Sequence, residues 1–335
     1  MSQRVRSALV VAIVAALVLG AACGDDEELV VYSGRSPELI GPLLDRFAEE
    51  RGIAVAVRYG STAQLATLLI EEGGKTPADV YIAQDAGALG AVQARGLLAP
   101  LDAALLELVD SAYRSREGAW VGLSGRVRVV VYNTEAVDPT ELPASILDFT
   151  GEEWAGRVGW APQNGSFQAW VTALRLTLGE AEARAWLEAM VANGPVELPN
   201  NVLIVDAVGR GEIDVGFVNH YYLGRFLAEL GEGFPVRNHY TAPGDVGTLV
   251  NVAGAGVLAA SERGEDARAL IAFLLSPESQ RYFAEANAEY PLLPVVPSSS
   301  DLPTIAELQP LDVDLSRLED LAGTLELLRS TGVLP

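Results

Sequence analysis

One cysteine and two histidines stand among 335 residues, and each scarcity excludes a chemistry. The lone Cys23 cannot form a disulfide framework or a thiolate metal cluster, because each needs at least two sulfurs. His220 and His239 are too few for a His-rich zinc or copper centre, so any metal held here is held mainly by oxygen. Basic charge is also scarce. Lys plus Arg total 23 against 45 Asp plus Glu, and the formal net charge of −22 repels phosphate backbones, which disfavours nucleic-acid binding. No Gly-x-Ser-x-Gly elbow occurs and neither histidine is placed as a general base, which argues against an exported hydrolase, the best reading from a different functional class. Apolar residues are plentiful: 50% of the chain is hydrophobic and 20% charged, the balance of a folded globular protein of about two domains.

The N-terminus carries Arg4 and Arg6, an apolar run from Ala8 to Ala22, then Cys23 and the acids Asp25 to Glu28. This is the pattern of a secretion signal, and the run is shorter than the roughly 20 residues a spanning helix needs. Leu19-Gly20-Ala21-Ala22-Cys23 resembles a bacterial lipoprotein cleavage box, with Gly20 where leucine normally stands. The expectation is a signal peptide over 1–22, a lipid-modified Cys23 and an acidic tether over 23–28. That places the mature protein outside the cytoplasmic membrane or in the periplasm, touching the membrane through its lipid alone.

From Leu29 onward, strand and helix patterns alternate. Leu29–Tyr32 reads as a buried strand, Ser36-Pro37 as a helix start, and Ile53–Tyr59 as the next strand. Helices are expected over Ala63–Glu72 and from Asp85 to Arg95, around a strand Ala78–Ala83. After a strand Val127–Tyr132, a connection through Pro139 and Pro143 suggests a crossing to a second α/β unit. That unit has strands at Val158–Trp160 and Ile213–Val218 and helices over Phe167–Leu178 and Glu180–Val191. Leu249–Ala253 returns, followed by helices at Glu265–Leu275, Glu278–Ala288 and Leu318–Arg329. Two α/β lobes, 29–132 plus 249–335 and 133–248, joined by more than one crossing, describe a hinged clamp whose ligand sits beyond the carboxyl ends of strands.

Among those strand ends, Asn219-His220-Tyr221-Tyr222 places two adjacent phenols at a strand-to-helix turn, where both can face one point. On periodicity alone the pair reads first as a packed aromatic cluster. Phenolate is a hard anionic oxygen ligand, and a small highly charged cation such as ferric iron can displace its proton.

At this turn the chain resembles the bacterial ferric-iron-binding periplasmic proteins that feed ABC transporters. Val31-Tyr32-Ser33-Gly34-Arg35, Pro77-Ala78-Asp79-Val80-Tyr81, Leu97-Leu98-Ala99-Pro100-Leu101 and Leu123-Ser124-Gly125-Arg126 carry the resemblance. Gly211-Glu212-Ile213-Asp214, the tyrosine turn and Glu289-Tyr290-Pro291-Leu292 follow in the same order, so nearly all of the mature chain is covered. The resemblance implies a type II periplasmic-binding-protein fold, each lobe a mixed, mostly parallel sheet flanked by helices. It implies no enzymatic activity, a monomer, a membrane permease as partner, and ferric iron as cargo with carbonate or phosphate as synergistic anion. It makes Tyr221 and Tyr222 iron ligands and Asn164-Gly165-Ser166 the anion loop, with Asn201 and Asn219 within reach of the anion.

The chain also departs from the family. Ser36 stands where some members place a histidine, and Arg35 beside it is a candidate anion clamp. Gln84 and Asp85 occupy the place of a carboxylate ligand, although Asp85 is equally suited to cap a helix. Pro37 and Phe167 replace further tyrosines. The same clamp holding a phosphonate, polyamine, thiamine or oxyanion is the alternative reading. Gly254-Ala255-Gly256-Val257-Leu258-Ala259 fits a dinucleotide fingerprint but stands alone and late in the chain.

Overall fold

The computed structural model describes residues 28–299 and 302–335. The expected leader, the Cys23 anchor and most of the acidic tether lie outside these residues. Among the described residues no helix is long and apolar enough to cross a membrane.

The chain alternates from its start: β1 (Leu29–Ser33), α1 (Pro37–Arg51), β2 (Val55–Tyr59), α2 (Thr62–Glu72), β3 (Val80–Ala83), α3 (Ala86–Gln93), a short α4 (Ala103–Leu106) and the long β4 (Val121–Asn133). Then follow β5 (Val158–Trp160), α5 (Gly165–Leu178), α6 (Glu180–Ala192), β6 (Val196–Glu197), α7 (Asn201–Gly209), β7 (Val215–Asn219), α8 (Tyr221–Leu230), β8 (Val236–His239) and β9 (Val250–Val257). The last part holds α9 (Gly264–Leu274), α10 (Pro277–Ala286), β10 (Tyr290–Pro291), α11 (Ile305–Leu308) and α12 (Leu321–Ser330).

The sheet runs β2-β1-β3-β9-β4-β7-β5-β6, with β8 and β10 also paired to β4. Parallel pairing joins β2, β1 and β3 at one end and β7, β5 and β6 at the other. Every antiparallel pairing involves β4 or β9, the two strands that cross between these ends. Along β4 the neighbour changes: Val121 to Val127 pair with β9, and Arg128 to Tyr132 pair with β7. The crossing therefore lies inside a strand, whereas the sequence pattern suggested it after Tyr132. Gly122, Ser124, Gly125 and Arg126 interrupt the apolar run and hide the strand's first half, yet all 13 residues of β4 are buried.

The helices bury the faces their spacing implies. Ile40, Leu43, Leu44 and Phe47 of α1 are buried, and the left-handed Gly52 closes the helix. The C-terminal segment crosses the molecule and does not stay with the β1–β3 end alone. A single-turn helix at Leu315–Glu319 packs on α3, and α12 packs on α5 through a Thr172–Thr324 hydroxyl contact of 2.7 Å and an Arg175–Asp320 ion pair of 2.9 Å. Gly87 and Gly90 make the first contact possible, since a Cβ on either would collide with the carbonyl oxygen of Leu318 or Ser316. Gly90→Ala is accordingly expected to lower stability by about 1–3 kcal/mol. The collision outweighs the roughly 1 kcal/mol by which Ala surpasses Gly in a helix. Thermal unfolding of the variant reads the sign directly.

Candidate functional site

The ends of β1, β2, β3, β5 and β7 lead into helices whose first turns surround one cleft of about 750 Å³. Three of these N-termini are closed by side chains. Ser61 and Gln64 form a reciprocal cap on α2, Asp85 accepts from Ala88 N–H at 3.0 Å on α3, and Asn164 accepts from Ser166 N–H at 2.9 Å on α5. Several helix N-termini aimed at one space favour negative charge there.

On α8 the first turn begins with the two tyrosines. Their rings stack with centroids 4.3 Å apart at 28°, so both phenols reach into the cleft from the same side. Tyr221 is buried, and burial together with the neighbouring Tyr222 pushes its hydroxyl above the ordinary phenol range. Without a strong cation to displace the proton, that phenol stays neutral.

Facing the phenols is an unexpected amount of positive charge. Arg126 and Arg128, two residues apart on β4 and so on one face of the strand, are only 5% and 2% exposed, and both line the cleft. Arg126 donates to the carbonyl of Gln84 through Nη2, while its Nε has no partner. Arg128 donates to Phe217 O at 3.1 Å and lies over the rings of Phe167 and Trp170, while its Nε and Nη1 have no partner. Burial lowers the Arg128 pKa to about 9, with the Tyr222 phenol opposing the shift. Arg225 lies over both tyrosine rings at 5.6 and 5.9 Å. Among the described residues none of these three arginines pairs with a carboxylate. Buried guanidinium groups with unused donors are costly unless an anion joins them.

The structure brings Gln84, Asp85, Asn164, Gly165, Ser166, Asn219, Tyr221 and Tyr222 to this cleft. Gln84 leaves its Oε1 buried without a partner. Asp85 is engaged as the α3 cap, and burial raises its pKa against the opposing pull of the cap and of Arg126, so its carboxylate is a poor donor as it stands. Asn201 stands behind the α5 loop, with its Nδ2 at 3.4 Å from Ser166 Oγ.

Arg35 is not brought to the cleft. Its guanidinium, with the residue 1% exposed, is locked on Glu289 at 2.8 Å and on Ser124 at 3.3 Å, so it cannot clamp an anion. The sequence reading assigned no role to Arg126, Arg128 or Arg225. The available signal was two arginines alternating inside an otherwise apolar buried strand. Neither histidine lines the cleft: His239 Nε2 lies 2.8 Å from Pro143 O, and His220 is held by Val127 and Ala288.

A family model described as bacterial extracellular solute-binding protein matches residues 75–316. The chain belongs to that family. This solute-binding protein is 34% identical over 309 residues to the major ferric iron-binding protein of Neisseria meningitidis serogroup B, covering 91% of this chain and 93% of the relative. It is likewise 34% identical over 321 residues to the Fe(3+)-binding periplasmic protein of Serratia marcescens, covering 95% and 94%. Iron-bound HitA of Pseudomonas aeruginosa superposes with a TM-score of 0.85 at 34% identity, covering 91% of this chain and 99% of that one. The fold is thus the two-lobed type II periplasmic-binding-protein fold, and the family is an exported, non-enzymatic one.

Proposed function

We propose that the protein captures ferric iron together with a small anion and presents both to the permease of an ABC importer. The observation that carries this reading is the stacked Tyr221–Tyr222 pair opposite buried guanidinium groups that lack a carboxylate partner. Ferric iron displaces both phenol protons, and two tyrosinates leave the ion with one positive charge still to be neutralised. An anion then serves both sides, completing the iron shell and accepting from Arg126, Arg128 and the N-terminus of α5 at Asn164-Gly165-Ser166. Carbonate and phosphate fit this role. Asn219, Gln84 and Asp85 line the same space, and Gln84 Oε1 is an oxygen there with no other partner. The names of the Neisseria and Serratia relatives support iron as cargo.

The lobes are those joined by β4 and β9, and closing them over the cargo is what distinguishes the loaded form to the permease. The protein works as a monomer held to the membrane by lipid on Cys23. The arginines favour one other reading, in which an oxyanion alone is the cargo; it leaves the tyrosine pair without a role.

Visible absorption of the soluble form, residues 24–335, separates the two. Titration with ferric iron supplied as citrate is expected to give a tyrosinate-to-iron charge-transfer band that strengthens with bicarbonate or phosphate. Anion binding with no such band would replace the iron reading with the oxyanion one.

A further inference from the structure

We propose that His220 is a positioning residue for the tyrosine pair, fastening their turn to the strand that crosses between the lobes; this rests on the iron reading of the site. Residue 220 immediately precedes Tyr221 and is held on four sides. Its N–H donates to Val127 O at 3.0 Å, and Val127 N–H donates back to its Nδ1 at 3.2 Å. Its Nε2 donates to Ala288 O at 2.8 Å, and its carbonyl accepts from Asn238 Nδ2 at 3.1 Å. With Nδ1 accepting, the ring proton sits on Nε2, so one neutral tautomer satisfies both contacts. The ring also packs on Tyr290 with centroids 4.7 Å apart.

The partners are placed where lobe movement must be felt. Val127 is the last residue of β4 paired with β9, and Arg128 the first paired with β7, so the histidine grips β4 at its change of neighbour. Ala288 has φ of 53°, a left-handed conformation that a non-glycine residue keeps only when its surroundings hold it. It also packs beside Gly224 of α8, where an added Cβ would lie 3.6 Å from the Ala288 Cβ. The next residue, Glu289, carries the buried pair to Arg35 in the β1–α1 loop, which borders the cleft on its other wall through Gly34 and Ser36. A contiguous set of contacts therefore runs beneath the cleft from the tyrosine turn, through His220, Ala288 and Glu289, to the first loop. Opening the lobes would move the phenols through this set, and closing would return them to their ligand positions.

The test uses His220→Phe, which keeps an aromatic ring against Tyr290 and removes both ring hydrogen bonds, beside His220→Gln, whose amide restores a donor and an acceptor. In the metal-free protein, amide hydrogen exchange at Tyr221, Tyr222 and Val127 is expected to quicken in His220→Phe. With iron bound, the charge-transfer band should shift and iron release to a competing chelator should speed about tenfold, the lower end of what loss of an outer-shell partner costs. His220→Gln should lie between parent and Phe variant, and it carries the test by the same readings should the Phe variant fail to fold. A variant with a lowered melting temperature but the parent's band and release rate would overturn the proposal. If the parent gives no band, the iron reading falls by itself, and unchanged exchange at Tyr221 and Tyr222 then overturns the fastening as well.

Discussion

Glu289→Gln is expected to cost about 3–5 kcal/mol of stability, because it leaves the Arg35 guanidinium buried without its counter-charge. The pair is closed on all sides. Arg35 Nη2 lies 2.8 Å from one carboxylate oxygen and Nη1 3.3 Å from the other, Ser124 Oγ donates at 2.7 Å, and Phe283 covers the guanidinium at 5.4 Å. Burial alone would raise the Glu289 pKa, but Arg35 and Arg126, with hydrogen bonds from Arg35 and Ser124, outweigh it and hold the carboxyl below its ordinary value. A depressed carboxyl pKa contributes stability that is present above the unfolded-state value of about 4.3 and is lost as pH falls through the folded-state value. Denaturant unfolding from pH 7 downward should therefore show the parent losing stability below about pH 5 more steeply than Glu289→Gln, which has no such group to titrate. Equal slopes in the two proteins would show that the pair does not contribute as argued.

The second large effect concerns the anion. Arg126→Gln with Arg128→Gln is expected to weaken iron binding in the presence of bicarbonate or phosphate about 100-fold or more, since each buried contact to a charged group is worth about 1.5–3 kcal/mol. The same variant should bind iron without added anion nearly as the parent does. The ratio of the two affinities isolates the anion contribution from any general loosening of β4. A double variant that keeps the parent's anion dependence would move the anion to the α5 N-terminus alone.

Much of this architecture was legible because strand and helix periods alternate cleanly. Val158–Trp160 is a strand as its pattern implied, and the tyrosine turn sits between β7 and α8 as the change of period after Val218 required. The first half of β4 was not legible, because glycines and an arginine break its apolar run and only pairing with β9 on one edge and β10 at Gly125 and Ser124 makes it a strand. The arginine expected at the cleft was misplaced for a related reason. Arg35 lies in the right loop, but its direction is fixed by Glu289, 254 residues away, and no local pattern reports a partner at that separation. Arg126 and Arg128 carried a readable signal, charge in a buried strand, whose meaning depended on knowing that the strand passes beneath the cleft.

The most direct test compares the parent with Tyr221→Phe, Tyr222→Phe. Both are loaded with ferric iron and bicarbonate, dialysed, and read for bound iron and visible absorption. The account predicts one iron per parent molecule with a charge-transfer band, and neither iron nor band in the variant, whose fold is preserved because each change removes only a hydroxyl. A variant that retains iron with the parent's spectrum would contradict it.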